Sequence, residues 1–147
     1  MSDFLTQYGV ILALAAAGAA AAKTTLPGFQ SPSRNIRCFR NAEPPATLHC
    51  SIAKADYASR LTAHCAAPPI GVDWGGFELG ATRKGGVTCT GGVLYSPDTQ
   101  RLNDTILPYG KVWRSGPFTC WSRTSGVTCR SRSGHGLFVS RQSWRTW

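Results

Sequence analysis

Six cysteines at short, uneven spacings limit the folds that this chain can adopt more than any other feature does. Most fall within short runs of alternating apolar and polar residues, and turns rich in glycine or proline separate these runs. An even cysteine count without long apolar segments is typical of a small domain held by disulfides. The sequence therefore predicts an all-β fold, a small disulfide-stapled barrel or sandwich of short antiparallel strands with at most one short helix.

The pairing of the cysteines stays open at this point, because six cysteines allow fifteen connectivities. We favour nearest-neighbour pairing, since each bond then closes one local bend of the chain. The three bonds would be Cys38–Cys50, Cys65–Cys89 and Cys120–Cys129. Loops of these lengths contribute about 9 kcal/mol together on the chain-entropy estimate, which rivals the net stability of a typical domain, about 5–15 kcal/mol.

A zinc site is the alternative use of these cysteines, because His49 stands beside Cys50 and His64 beside Cys65. None of the spacings contains the C-x2-C knuckle that is typical of zinc sites, and neighbouring residues of a strand point to opposite faces. We therefore predict no metal and no cofactor. The even count also argues against a catalytic thiol.

The strand pattern is clearest in Gly116–Arg141, where Cys120 and Cys129 would face each other across a turn. The other predicted strands are Asn35–Arg40, Ala46–Ile52, Val72–Gly80, Gly86–Thr90 and Lys111–Arg114. Ala53–His64 is the one passage with helical character, and Pro68 and Pro69 would end it. GVTC occurs at 86–89 and again at 126–129, which we interpret as recurrent hairpin chemistry, since two copies do not make a repeat array.

The N-terminal segment indicates export. Phe4–Ala22 is apolar and ends in small residues before Lys23, which predicts a cleavable signal peptide over residues 1–22. An extended lead-in (23–33) and a single domain (34–147) would follow. The first nine residues carry no Lys or Arg, which departs from the usual pattern, so an uncleaved anchor and a cytosolic Ala-rich helix are the alternatives. We expect a periplasmic or secreted protein that meets the membrane only through an uncleaved leader.

The charge is strongly one-sided. The net charge is +9, Arg outnumbers Lys by twelve to four, and no Asp or Glu occurs from Thr105 to Trp147. Such a field favours anionic partners, and arginine suits planar stacking and bidentate contacts. The predicted binding residues are Arg114, Trp121, Arg123, Arg130, Arg132, His135 and Arg141. The expected partner is an anionic polymer or an envelope protein, without specific recognition of nucleic acid. Alternatively, the tryptophans cap the core while arginine stems lie over them.

No established catalytic motif is present, so we predict a non-catalytic binding domain. A small ribonuclease-like hydrolase is the alternative, with His135 as acid–base group beside Glu78 and Arg130 or Arg132. The simpler interpretation of Gly134–Gly136 is a tight turn with the imidazole bonded to a nearby carbonyl. An inhibitor of an envelope-attacking enzyme is a third possibility, which the positive charge disfavours.

Several ordered segments resemble one group of proteins. They are PSRNIRC (32–38), LHCSI (48–52), GVTC (86–89), LPYG (107–110), GPFTCWSRTSGVTC (116–129) and GHGLFVSR (134–141). Together they resemble a widespread family of small exported bacterial proteins that is known only as a domain of unknown function, and the resemblance covers Phe29 to Arg141. Arg34 departs from the family pattern, which usually has glycine there. The resemblance implies an exported, disulfide-held β domain and implies no activity.

Overall fold

The computed structural model describes residues 18, 21–41 and 43–147, so most of the predicted leader lies outside the described residues. The strands are β1 (Thr24–Leu26), β2 (Gly28–Gln30), β3 (Ile36–Asn41), β4 (Thr47–Ile52), β5 (Trp74–Gly80), β6 (Gly86–Cys89), β7 (Gln100–Leu102), β8 (Val112–Ser115), β9 (Phe118–Arg123), β10 (Gly126–Ser131), β11 (Gly136–Val139) and β12 (Trp144–Thr146), and the helix is α1 (Ala58–Ala66). The predicted all-β class with one short helix is confirmed for these residues. No helix among them is both long enough and apolar enough to cross a bilayer.

Two five-stranded antiparallel sheets form a sandwich rather than a closed barrel. The first sheet has the order β2-β3-β4-β5-β6 and the second β8-β9-β10-β11-β12, while β1 and β7 make a short parallel pair. The sheets meet through aromatic contacts at two places. The Phe29 and Trp113 rings lie 5.1 Å apart, and the Phe77 and Trp144 rings lie 5.0 Å apart. Both sheets therefore contribute large apolar side chains to one core.

The two sheets place a disulfide at the same position. Cys38 of β3 lies opposite Cys50 of β4, and Cys120 of β9 lies opposite Cys129 of β10, so each bond joins the second and third strands of its sheet. The sulfur atoms of Cys38, Cys50 and Cys129 lie within 4.8 Å of one another. The two bonds therefore stack in the core, and because every cysteine is disulfide-bonded, this sulfur cluster offers no thiolate to a metal.

The third disulfide joins Cys65 of α1 to Cys89 of β6, so the connectivity is the nearest-neighbour one. The helix begins at Ala58, later than the helical passage predicted from Ala53. Before the helix, the Asn35 side-chain amide donates to the Lys54 carbonyl (2.9 Å) and accepts from the Lys54 N–H (2.8 Å). Lys54 is thereby held in a turn before the helix.

The outer faces of the two sheets differ. On the first sheet Phe39 stacks on His49, and Tyr95 packs edge-on against Phe39. Arg37 forms an ion pair with Asp104 at 2.7 Å, so parts of residues 90–106 lie over this face. The strands of the second sheet contact one another and, across the core, chiefly β5. Within the described chain, no other helix or strand lies over the outer face of the second sheet.

Candidate functional site: an arginine-rich sheet face

The alternation of β9 determines which side chains of the second sheet face outward. Phe118, Cys120 and Ser122 are buried, whereas Trp121 is half-buried and Arg123 is exposed. We call the outward side of β8–β12 the arginine face. Its members are Val112, Arg114, Thr119, Trp121, Arg123, Thr128, Arg130, Phe138 and Arg145.

The strand register arranges these residues in rows across the sheet. Arg114 lies opposite Thr119, which lies opposite Arg130. Adjacent strands are about 4.8 Å apart, so the two arginine backbones are separated by about 10 Å. In the next row, Val112, Trp121, Thr128, Phe138 and Arg145 follow one another from β8 to β12. The face therefore carries two arginines in one row and, beside them, a row of mainly apolar residues that ends in Arg145.

Aromatic rings hold one of the cations in place. The Arg145 guanidinium carbon lies 5.5 Å from the centre of the Phe138 ring and 5.3 Å from that of Trp147. Trp147 lies over Gly136, where a Cβ atom would overlap the indole. Glycine at this position thus admits the ring, and the Arg145 charge is restrained between two aromatic surfaces.

The electrostatics of the face have one sign. No carboxylate side chain occurs on β8–β12 or in their connections. In the part of the chain that the structure describes, Arg114, Arg123, Arg130 and Arg145 make no salt bridge. These guanidinium groups keep their hydrogen-bond donors available for an external anion.

The structure separates three of the predicted binding residues from this face. Arg132 lies in the turn after β10, where its N–H donates to the Pro117 carbonyl at 2.8 Å. His135 lies in the same turn, and its Nδ1 is 3.3 Å from the Trp147 carbonyl oxygen. Arg141 lies in the β11–β12 connection, with Nε 3.6 Å from an Asp56 oxygen. Arg114, Trp121, Arg123 and Arg130 are the predicted residues that share the outward side of the second sheet, with Arg123 at the end of β9.

The hydrolase constellation does not assemble around His135. Glu78 lies on β5 of the first sheet, directly opposite His49. Among the described residues, His135 makes no hydrogen bond or salt bridge to a carboxylate. The imidazole instead contacts a backbone carbonyl, as expected if residues 134–136 simply form a tight turn.

His49 is buried in the first sheet and is not suited to proton transfer with a ligand. Burial lowers its pKa, and the nearby Glu78 carboxylate opposes that shift. Its ring stacks on Phe39 at 5.3 Å, so the imidazole serves as part of the packing under residues 90–106.

The C-terminal tryptophans have two roles. Trp113 and Trp144 point into the core, against Phe29 and Phe77. Trp121 and Trp147 lie on the outer side. The predicted binding set did not include Phe138 and Arg145. Strand alternation could have identified both as outward-facing, because each adjoins an inward-facing apolar residue.

Comparison with known proteins yields a family and no described activity. Comparison with curated proteins and with solved structures gave no match. A family model described as a family of unknown function (DUF6636) matches residues 6–145, which is nearly the whole chain. The chain, with its disulfide-held sandwich, therefore belongs to this family of unknown function, DUF6636.

Proposed function

We propose that this protein binds a linear polyanion of the cell envelope along the arginine face and that it is not an enzyme. The observation that carries the proposal is the row Arg114–Thr119–Arg130, which lies on the outer face of a sheet whose strands and connections contain no Asp or Glu. Three disulfides are typical of oxidising compartments, which supports a periplasmic or secreted location.

The shape of the face favours a polymer over a compact ligand. Five strands span about 20 Å, and successive outward residues on a strand are about 7 Å apart. A chain that carries an anionic group on each unit can contact several arginines at once. Trp121 adds a flat apolar surface on which a sugar or base ring can stack. Arginine at these positions gives bidentate contacts to sulfate or phosphate oxygens.

The experiment uses polyuridylate as a defined anionic probe, titrated at several salt concentrations. The double variant Arg114→Gln/Arg130→Gln removes the row. If both side chains contact phosphates, the slope of log K against log salt should fall by about 1.4, since each contact contributes about 0.7 for a single strand. The matched control is Arg83→Gln/Arg101→Gln, which removes the same charge from exposed positions outside the second sheet. The control should leave the slope close to that of the natural protein.

Two results would contradict the proposal. Binding that does not weaken with salt would exclude an electrostatic face. Equal losses in the two double variants would show that only the net charge matters.

The same titration tests the absence of catalysis. The probe should stay intact after long incubation, with the His135→Ala variant as reference. Cleavage that disappears in His135→Ala would overturn the non-catalytic assignment and favour the hydrolase.

A further inference from the structure

A second basic site lies at one end of the sandwich, in a cleft of about 490 Å³. Five connections that are far apart in sequence form its walls: residues 31–36, 53–54, 109, 123–127 and 140–142. Four cations line it, Arg34, Lys54, Arg123 and Arg141, together with several hydroxyl groups. None of the described residues that line the cleft is Asp or Glu. The charge of the lining therefore favours anions, although the Asp56 carboxylate, 3.6 Å from Arg141 Nε, offsets part of it.

The walls of the cleft are cross-braced by hydrogen bonds. The Asn35 side chain holds both backbone groups of Lys54, which joins the first connection to the second. The Asp56 N–H donates to the Arg141 carbonyl at 2.9 Å. The buried Tyr57 hydroxyl donates to the Ser140 carbonyl at 2.8 Å. A site with fixed walls loses little conformational entropy when a ligand binds.

Arg34 provides an independent indication of function. Its φ is +60°, and it is the one non-glycine residue with positive φ among the described residues. The left-handed region is unfavourable for a side chain with a Cβ atom, so glycine would be the easier choice here. Arg34 nevertheless stands in the β2–β3 turn, where its N–H donates to the Ser31 carbonyl. Backbone strain that is kept at a cleft is typical of ligand-binding residues.

We propose that this cleft binds the phosphate group of a small organic phosphate ester, with Arg34 and Lys54 as principal ligands. A phosphate dianion uses both the planar guanidinium and the ammonium point charge, which a singly charged carboxylate uses less well. The volume of about 490 Å³ exceeds what one phosphate ion needs and lies in the range of small-molecule sites. The hydroxyl groups of Ser33, Thr124 and Ser125 would face the organic part.

The cleft and the arginine face share Arg123 but are otherwise formed by different residues, so the substitutions that test the cleft avoid the arginine face. Arg123 ends β9 and also lines the cleft, so it is left unchanged. The probes are glucose 6-phosphate, inorganic phosphate and acetate, each titrated calorimetrically into the natural protein at low salt. Glucose 6-phosphate should bind most tightly and acetate most weakly. Inorganic phosphate binding as tightly as glucose 6-phosphate would overturn the assignment of an organic ester. Acetate binding as tightly as phosphate would overturn the assignment of phosphate.

Three substitutions separate charge from backbone strain. Arg34→Gln should weaken glucose 6-phosphate binding by about tenfold or more, as expected for loss of a charge-assisted hydrogen bond, without changing the melting temperature. Arg34→Gly should weaken it equally but raise the melting temperature by about 2–5 °C, because glycine relieves the left-handed conformation. Arg83→Gln, an exposed arginine outside the cleft, should bind like the natural protein.

The proposal is overturned if Arg34→Gln and Arg34→Gly bind glucose 6-phosphate as well as the natural protein does. An equal loss in Arg83→Gln would also overturn it, since the effect would then come from net charge. Absence of saturable binding to the natural protein at millimolar ligand would have the same meaning.

Discussion

Removing the Cys65–Cys89 bond should detach α1 while leaving the two sheets folded. The helix has nine residues, no side-chain cap at Tyr57 and no acidic residue in its first turn. So short a helix is not stable without tertiary contacts. Its anchors are the buried Leu61, the disulfide to β6 and, at its N-terminal end, the buried Tyr57. The double variant Cys65→Ala/Cys89→Ala therefore tests how the helix is held.

The magnitude follows from the length of the closed loop. The sequence separations are 24 for Cys65–Cys89, 12 for Cys38–Cys50 and 9 for Cys120–Cys129. The chain-entropy relation then gives about 3.5 kcal/mol for the first bond and about 2.9 and 2.7 kcal/mol for the other two. Because Cys65 is fully buried, its truncation adds a small cavity cost. We expect the free energy of unfolding to fall by about 3–5 kcal/mol.

The assay is urea unfolding followed by tryptophan fluorescence, with far-ultraviolet circular dichroism as a second readout for the helix. The double variant should show a lower urea midpoint and a weaker helical signal before the main transition. Fully reduced natural protein is the reference, and it should be unfolded, because the three bonds together contribute about 9 kcal/mol. An unchanged midpoint would refute the loop-closure reasoning. Complete unfolding of the double variant would refute the view that the sheets stand without the helix anchor.

Three further substitutions test the packing. Tyr57→Phe removes the buried hydrogen bond to Ser140 and should cost about 1–2 kcal/mol in thermal unfolding. Burial raises the pKa of Tyr57 to about 12, above its unfolded value of 10. The stability that the protonated hydroxyl contributes is therefore complete below pH 10 and is lost as the pH rises to about 12. In Tyr57→Phe the free energy of unfolding should fall less over this alkaline range. Gly28→Ala places a Cβ atom against the Cys38 carbonyl and should lower the free energy of unfolding in urea by about 1–3 kcal/mol. Gly86 has open space around it, so Gly86→Ala should lower that free energy by less than about 1 kcal/mol. Equal losses in the two variants would contradict the steric argument.

The local structure was predictable because short-range patterns determine it. Alternation in β3 and β4 puts Cys38 and Cys50 on one face, and the register then places them directly opposite each other. The same pattern identified the Cys120–Cys129 hairpin. Strand type, turn position and nearest-neighbour bonds all depend on residues within about 25 positions of one another.

The correspondence between the two sheets could not be found from the sequence, because it lies in the strand register and not in shared residues. The repeated GVTC segments occupy different positions, since 86–89 forms the edge strand β6 and 126–129 lies in the central strand β10. The structural counterpart of the Cys120–Cys129 hairpin is the Cys38–Cys50 hairpin. These two hairpins share little beyond their cysteines and their alternation, so the sequence does not reveal that they correspond.

The candidate sites were predictable to different degrees. Trp121 and Arg130 each adjoin a buried cysteine, so alternation places them outward on one face. The cleft could not be predicted, because Arg34, Lys54 and Arg141 lie in separate turns that only the packing of the two sheets brings together. Its one local signal is Arg34, where the turn would favour glycine.

The contrast between the two sheets explains why the arginine face stands out. Both sheets bury a disulfide at the same position, yet parts of residues 90–106 lie over the first sheet and bring Asp104 to Arg37. On the second sheet the backbones of Arg114 and Arg130 lie about 10 Å apart, both side chains are exposed, and physiological salt screens exposed charges over about 8 Å. Their mutual repulsion is therefore small in the free protein. An anionic chain that contacts both arginines is attracted by both charges. A row of arginines at this spacing therefore lowers the stability of the fold little and favours a multiply charged partner.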